Sequence, residues 1–439
     1  MSKKASVLAT TKQAYSTDPA EWSWVERTVW SDRMLSALGN GVKGGKWYSL
    51  IDKVWRFSTL EAAWKRVRSN RGAAGVDGQS IKCFEARANV YLREISEELK
   101  TGRYRPQGVR RKEIPKAGGK TRALGIPTVK DRVVQTALKL TIEPIMEHMF
   151  EPSSYGFRPR RGCKGALREV DGLIRGGFTH VVDADIQGYF DHIPHDRLCK
   201  QLEQIIGDRR VLSLIQGWLS QEIVGEMESW TPIKGSPQGA VISPLLANLY
   251  LHPLDVLMRE RGYRMVRYAD DFVILCRSAE EAEQALKEVR AWMTEAKLTL
   301  HPDKTHVGNS VDSGCGFDFL GYRFEVGKRW IRPSSLRALR AKIKQMTRRS
   351  CGQSLEVVIE RLNRMLRGWY NYFKHVRGWT LRPIDGYIRR RLRSILRKQK
   401  KRPGFGNTER DRREWPNIFF ARAGLFTLKG AWDADRQSC

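Results

Sequence analysis

Tyr268-Ala269-Asp270-Asp271 is the stretch that decides how this chain folds and what it does. It sits between two apolar runs, Tyr263–Arg267 and Phe272–Cys276. Two short apolar runs around a tight polar turn predict a β-hairpin whose tip presents two carboxylates. Read alone, the pair has an ordinary explanation, because Asp tolerates turn geometry and favours water. Its meaning depends on what else the chain carries.

Upstream, His180-Val-Val-Asp-Ala-Asp185-Ile-Gln-Gly-Tyr-Phe190-Asp191 reads as an apolar strand that ends in an acid and runs into a glycine turn. Two strands that bring Asp185, Asp270 and Asp271 to one point can hold two Mg²⁺ ions. Such a pair of ions activates a hydroxyl and stabilises a leaving pyrophosphate in nucleotidyl transfer. Phe190, five residues past Asp185, is either a core aromatic or a ring that rejects a 2′-hydroxyl by sterics.

Three further segments have shapes of their own. Thr231–Asn248 holds Gly235-Ser-Pro-Gln238-Gly239 and Ser243-Pro244. Two glycines and two prolines there make a shaped loop that can set Gln238 against a nucleotide, followed by a helix with proline at its start. Ile114–Pro127 places Lys116 and Arg122 on either side of a hairpin tip, where they are either an exposed basic hairpin or a triphosphate clamp. Leu298–Thr305 reads as a strand with Lys304 near the nucleotide end, and Phe317–Tyr322 as an aromatic strand whose Gly321 allows close backbone approach.

Elsewhere, helices are expected over 46–70, 84–101, 128–150, 196–223, 245–254 and 278–297. The loop Asn70-Arg71-Gly-Ala-Ala-Gly75-Val-Asp77-Gly78 interrupts the first two, and residues 1–45 read as an extension with a short helix whose Trp22, Trp24 and Trp30 dock on the body. Beyond about 333 the chain is helical and basic.

The 439 residues carry 79 Lys and Arg against 48 Asp and Glu, a net charge of +31. That exceeds what solubility needs and points to a polyanionic partner. Residues 331–439 hold 28 basic and 8 acidic residues, about two thirds of the net charge. Seven scattered cysteines without CxxC spacing argue against a disulfide framework or a structural zinc site, and so for a cytosolic chain. No secretory leader and no long apolar run is present, so no membrane partner is expected.

In this order, the segments NRGAAGVDG, YRPQGVRRKEIPKAGGKTRALGIPT, SYGFRPRRG, HVVDADIQGYFDHI, GSPQGAVISPLLANLYL, RYADDFVIL, LTLHPDKT and FDFLGYRF resemble the group II intron-encoded reverse transcriptases, also called maturases. The resemblance runs from about Tyr48 to about residue 425. It implies an α+β right-hand polymerase with fingers and palm, followed by an all-α basic thumb or maturase domain. The implied division is an N-terminal extension (1–45), fingers with a template lid (46–180), palm (181–330) and thumb (331–439).

By the same resemblance Asp185, Asp270 and Asp271, helped by the Ile186 carbonyl, bind two Mg²⁺ ions. Lys116, Arg122, Phe190 and Gln238 meet the incoming dNTP. Asn70, Arg71, Gly75, Lys304, Gly321, Arg367, Arg389, Arg390 and Arg393 meet template, primer or intron RNA. The expected partners are group II intron RNA, an RNA template with a DNA primer, target DNA and dNTPs, with a homodimer left open and a bacterial cytosolic setting. With no CxxC pairs and no His-Asn-His pattern, no endonuclease is expected. Two other classes stay in view: an RNA-splicing factor with a vestigial polymerase, and a domesticated reverse transcriptase serving defence or repair.

Overall fold

In the computed structural model, residues 22–115, 121–225, 228–350 and 352–437 are described. They divide into two units: residues 22–173 with 184–306, and residues 174–183 with 307–437. The fold is mixed α/β with a helical C-terminal region. No described helix is long and apolar enough to cross a membrane.

The first unit is built on the helix Val129–Met149, which is buried on nearly every face. Thr128 caps it by accepting the Asp131 N–H at 3.1 Å. The helix Phe57–Ser69 turns Leu60, Ala63, Trp64 and Val67 inward at helical spacing and packs on it. Trp30 is fully buried and donates from Nε1 to the Leu140 carbonyl at 3.1 Å, so this part of the N-terminal segment docks as expected.

The helical stretch expected over 196–223 is two helices, His195–Ile205 and Arg209–Leu219, followed by a strand. Gly207-Asp208 breaks it. Asp208 accepts from Arg210 and Val211 at the start of the second helix, and its other oxygen accepts from Leu50 and Ile51 at 2.8 Å each. One carboxylate therefore caps two helices.

Strand β1 (Val109–Pro115) pairs antiparallel with β2 (Thr121–Ile126), in register from Arg110↔Ile126 to Pro115↔Thr121. The tip of this hairpin, with Lys116, lies outside the described residues. The sheet is completed by β4 (Ile223–Val224) and β5 (Ser229–Trp230). A second sheet holds the antiparallel pair β6 (Arg264–Tyr268) and β7 (Asp271–Cys276). It continues into β3 (His180–Asp185), of which Ala184 and Asp185 belong to this unit. The helices Ser243–Glu260 and Ala279–Glu295 pack against these strands.

Leu298–Thr305 is not the expected strand. A single bridge joins Leu300 to Ile186, and the chain then turns at Pro302, whose ring removes a ladder donor.

The second unit resumes within β8 (His306–Asn309) and forms the sheet β11-β10-β9. Its strands are β9 (Phe317–Phe319), β10 (Tyr322–Glu325) and β11 (Lys328–Ile331). The Phe317 and Phe324 rings stack with centroids 4.9 Å apart. Leu320 (φ 47°) and Gly321 (φ 82°) form a two-residue hairpin turn that needs left-handed backbone at both positions. Helices Pro333–Met346, Leu355–Phe373 and Arg382–Gln399 follow. Of the residues at helical spacing, Leu355, Val358, Ile359, Leu362 and Leu366 are buried, and Trp369, which continues the stripe, is half-buried.

Candidate active site

The acid-bearing hairpin turns within two residues, since Tyr268 pairs directly with Asp271. Ala269 sits at φ 60°, a left-handed conformation that costs a residue with a Cβ roughly 1–2 kcal/mol. A buried network underneath holds it there. Arg267 is fully buried. Its Nη1 donates to the Ala269 carbonyl at 2.9 Å and to Asn248 Oδ1 at 3.0 Å. Its Nε and Nη2 donate to the two Asp255 oxygens at 2.7 and 2.5 Å. Burial opposes the Arg267 charge, but the buried Asp255 carboxylate outweighs it and raises the guanidinium pKa. Asn248 in turn donates to the Gly156 carbonyl at 2.7 Å. A Cβ on Gly156 would lie 2.3 Å from the Ala269 nitrogen, so the Ser154–Phe157 loop can underlie the turn only with glycine there.

Sequence reasoning missed Gly156, Asp255 and Arg267 as supports, and gave Asn248 no role. The signal was present. Asn248 and Asp255 lie seven residues apart, on one face of a helix, and Arg267 places a charge directly after the apolar Met265-Val266 of its strand.

Asp185 arrives from the end of β3. Its backbone carbonyl accepts from His301 N–H at 2.8 Å, and Gln187 N–H donates to the Thr299 carbonyl at 2.9 Å. In that pattern Ile186 and Leu300 face each other without bonding, so the Ile186 carbonyl points away from the Leu298–Thr305 segment. Lys304 Nζ lies 2.5 Å from Asp185 Oδ2. Asp270 is half-buried, and its pKa is raised first by burial and then by the neighbouring Asp185 charge, with Arg122 and Lys304 opposing. Asp185, Asp270, Arg122 and Lys304 thus share one electrostatic neighbourhood.

Three carboxylates and a backbone carbonyl are the oxygen donors that a hard divalent cation prefers. Among the described residues, however, no three acidic, His or Cys side chains are gathered into a ready cation cage. The Lys304 ammonium lies against one of the Asp185 oxygens.

Beside these acids, Arg122 Nε donates to Gln238 Oε1 at 2.5 Å, and Gln238 Nε2 reaches Asp191 Oδ2 at 3.3 Å. The Gln238 carbonyl accepts from Gly125 N–H at 2.7 Å, which pins the glycine-proline loop to β2. Phe190 is 8% exposed, and its ring meets Phe157 and Tyr189 edge-on.

The residues expected to touch template or RNA are placed unevenly. Asn70 and Arg71 are exposed. Gly75 is not available to a template: it is buried, and a Cβ would lie 2.7 Å from the Thr128 backbone. It lets the loop pack on the start of a helix, while Arg132 Nη2 ties down the Ala73 carbonyl at 2.7 Å. In the second unit, Arg367 is exposed and lies over the Phe426 ring, and Arg390 is exposed over Tyr387. Arg389 is half-buried. Arg393 departs from expectation. It is 7% exposed and donates to the Trp415 carbonyl at 2.9 Å and Asn417 Oδ1 at 3.0 Å, which makes it chiefly a packing residue.

Two family models match: Reverse transcriptase (RNA-dependent DNA polymerase) over residues 114–324, and Group II intron, maturase-specific domain over residues 336–415. Protein YkfC of Escherichia coli (strain K12) is 34% identical over 307 residues, covering 60% of this chain and 79% of that protein. Group II intron-encoded protein LtrA of Lactococcus lactis subsp. cremoris is 39% identical over 199 residues, covering 44% of this chain and 32% of LtrA. The chain thus spans about a third of LtrA's length. A chain of a solved Cas6-RT-Cas1–Cas2 complex is 25% identical with a TM-score of 0.37, covering 56% of this chain and 43% of that one. With the glycine-proline loop and the acid-bearing hairpin inside the first matched range and the basic helices inside the second, this chain belongs to the group II intron-encoded reverse transcriptases and maturases.

Proposed function

We propose that this protein is an RNA-directed DNA polymerase of right-hand architecture that also binds its group II intron RNA, promotes its splicing and takes part in retrotransposition. The observation that carries the reading is the adjacency of β3, which ends in Asp185, and β7, which starts at Asp271: acids from distant segments share one sheet, near enough for the Asp185 charge to raise the Asp270 pKa, with the Arg122–Gln238 pair alongside.

Asp185, Asp270 and Asp271, with the Ile186 carbonyl, would hold two Mg²⁺ ions. When bound, such ions lower the pKa of the attacking hydroxyl and neutralise the leaving phosphate. The chain's own residues do the positioning. Arg267 braces the hairpin turn in its strained form, which keeps Asp270 within electrostatic reach of Asp185. Arg122, with Lys116 from the same hairpin, takes the triphosphate charge, and Gln238 bears on the nucleotide. Phe190, fixed edge-on by Phe157 and Tyr189, walls the sugar side. Asn70 and Arg71 lie over the template, Lys304 and Gly321 lie along the primer–template, and the exposed arginines of the second unit, Arg367 and Arg390, grip RNA phosphates, joined by Arg389.

Primer extension on an RNA template with dNTPs and Mg²⁺ tests the polymerase. Extension by the natural protein and none by Asp270→Ala is expected. Equal extension by both would overturn the site.

A further inference from the structure

The second unit contains a cavity of about 830 Å³ with arginines along its wall and no acid among its lining residues. Arg389 and Arg390 come from the helix Arg382–Gln399, Arg340 from the helix Pro333–Met346, and Arg412 from the short helix Glu409–Glu414. Among the described residues none of these four guanidiniums has an acidic partner within ion-pair distance. Four like charges on one concave surface repel one another, and the arrangement becomes favourable when an anion enters. The crowding is felt at the cavity floor: burial first, then Arg389 and Arg412, depress the Arg393 pKa. Arg393 itself is fixed by its bonds to Trp415 and Asn417.

Gly386 is the second observation. It lies inside the helix Arg382–Gln399 with ordinary helical backbone, where glycine costs about 1 kcal/mol relative to alanine. A Cβ at this position would meet nothing within 4 Å, so the fold does not require glycine here. The missing side chain instead leaves room in the cavity that Gly386 lines. One position on, Tyr387 supplies an aromatic surface with the Arg390 guanidinium 5.3 Å from its centroid. A flat ring beside a clearance, ringed by guanidiniums, suits a planar base attached to a phosphate. The volume falls within the range of small-ligand sites, about 300–1,000 Å³, and is far larger than one phosphate needs.

We propose that this cavity seats a single nucleotide extruded from a folded RNA, its base beside Tyr387 in the space left by Gly386 and its phosphate against Arg389 and Arg412. The proposal rests on the RNA-binding reading above and names the feature of the RNA that is read: an unpaired nucleotide rather than a regular duplex. An RNA held this way is recognised by shape and stacking, which even-handed phosphate contacts do not supply.

The test uses the full chain and two RNA hairpins of equal length, one fully paired and one with a single bulged nucleotide, in fluorescence anisotropy at fixed salt. The natural protein is expected to prefer the bulged hairpin by about tenfold. Gly386→Trp fills the clearance without changing charge, so it should abolish the preference and leave binding of the paired hairpin unchanged. Gly386→Ala should keep the preference. If circular dichroism shows Gly386→Trp to be unfolded, Tyr387→Leu replaces it with the same expected loss. A preference that persists in folded Gly386→Trp, or that is missing from the natural protein while both hairpins bind, overturns the cavity assignment alone. Failure of the natural protein to bind either hairpin overturns the RNA-binding reading, and this proposal with it.

Discussion

Lys304 and Asp185 are 119 residues apart in sequence and 2.5 Å apart in space. Any cation taken up by Asp185 competes with the Lys304 ammonium for the same oxygen. The pair is partly exposed, with 57% of the Lys304 and 27% of the Asp185 side chain open to solvent, so its net worth is about 1 kcal/mol or less. Lys304→Met should therefore tighten Mn²⁺ binding, read by electron paramagnetic resonance on the protein alone, by no more than about fivefold. Weaker binding in this variant would mean that Lys304 organises the acids rather than competing for them.

Asp255→Ala leaves the Arg267 guanidinium buried and uncompensated. Stability should fall by about 3–5 kcal/mol in urea denaturation, the usual loss when one partner of a buried pair is removed. A double change of Asp255 and Arg267 to apolar residues should recover stability but not polymerase activity, because the Ala269 carbonyl loses its brace.

Gly156→Ala tests the seat of the hairpin turn from the other side. The added methyl meets backbone at 2.3 Å, where no side chain can swing clear. Loss of about 1–3 kcal/mol is expected, with primer extension falling more steeply than RNA binding. Extension at the natural rate would show that the turn tolerates displacement.

His252 makes stability depend on pH. It is buried, lies edge-on to Phe150, and its Nδ1 has no hydrogen-bond partner among the described atoms. Burial lowers its pKa to about 4 from 6.5. The unfolded chain therefore takes up a proton between these values while the folded chain does not. Stability is full above about pH 6.5 and declines as pH falls towards about 4, by roughly 2 kcal/mol at pH 5. His252→Leu should flatten that part of the profile; an unchanged slope between pH 7.5 and 5 would assign it to other groups.

The sequence and the structure part company at identifiable places. The Tyr268–Asp271 hairpin was legible because its signal is local, two apolar runs and a two-residue turn. The long helices were legible because their apolar positions repeat with the helical period. Leu298–Thr305 was misread because apolar Leu298 and Leu300 suggest a strand, while Pro302 and the turn after it allow only one bridge. The helix expected over 196–223 was misread because Asp208 looked like one more polar position, when its carboxylate is what starts the next helix. Arg393, which the resemblance assigns to RNA contact, lies in a basic run that looks alike on both faces of a helix; only its bonds to Trp415 and Asn417 show that it turns inward. The supports of the hairpin turn were the hardest to see, since Gly156, Asn248, Asp255 and Arg267 come from three segments that no periodicity connects.

Asp385 is buried one turn into the helix Arg382–Gln399, and burial raises its pKa against the pull of two backbone donors, Leu428 N–H at 2.9 Å and Lys429 N–H at 3.0 Å. Those donors lie 43 and 44 residues further along the chain. A chain still being made thus holds this arginine-rich helix with an acid whose two backbone donors are missing until residues 428 and 429 have emerged. The partner that completes it also starts the helix Leu428–Gln437, so the two helices are finished in one event. The basic unit is therefore completed only once residues 428 and 429 have been made, well after the acid-bearing hairpin at 268–271 has become available to fold.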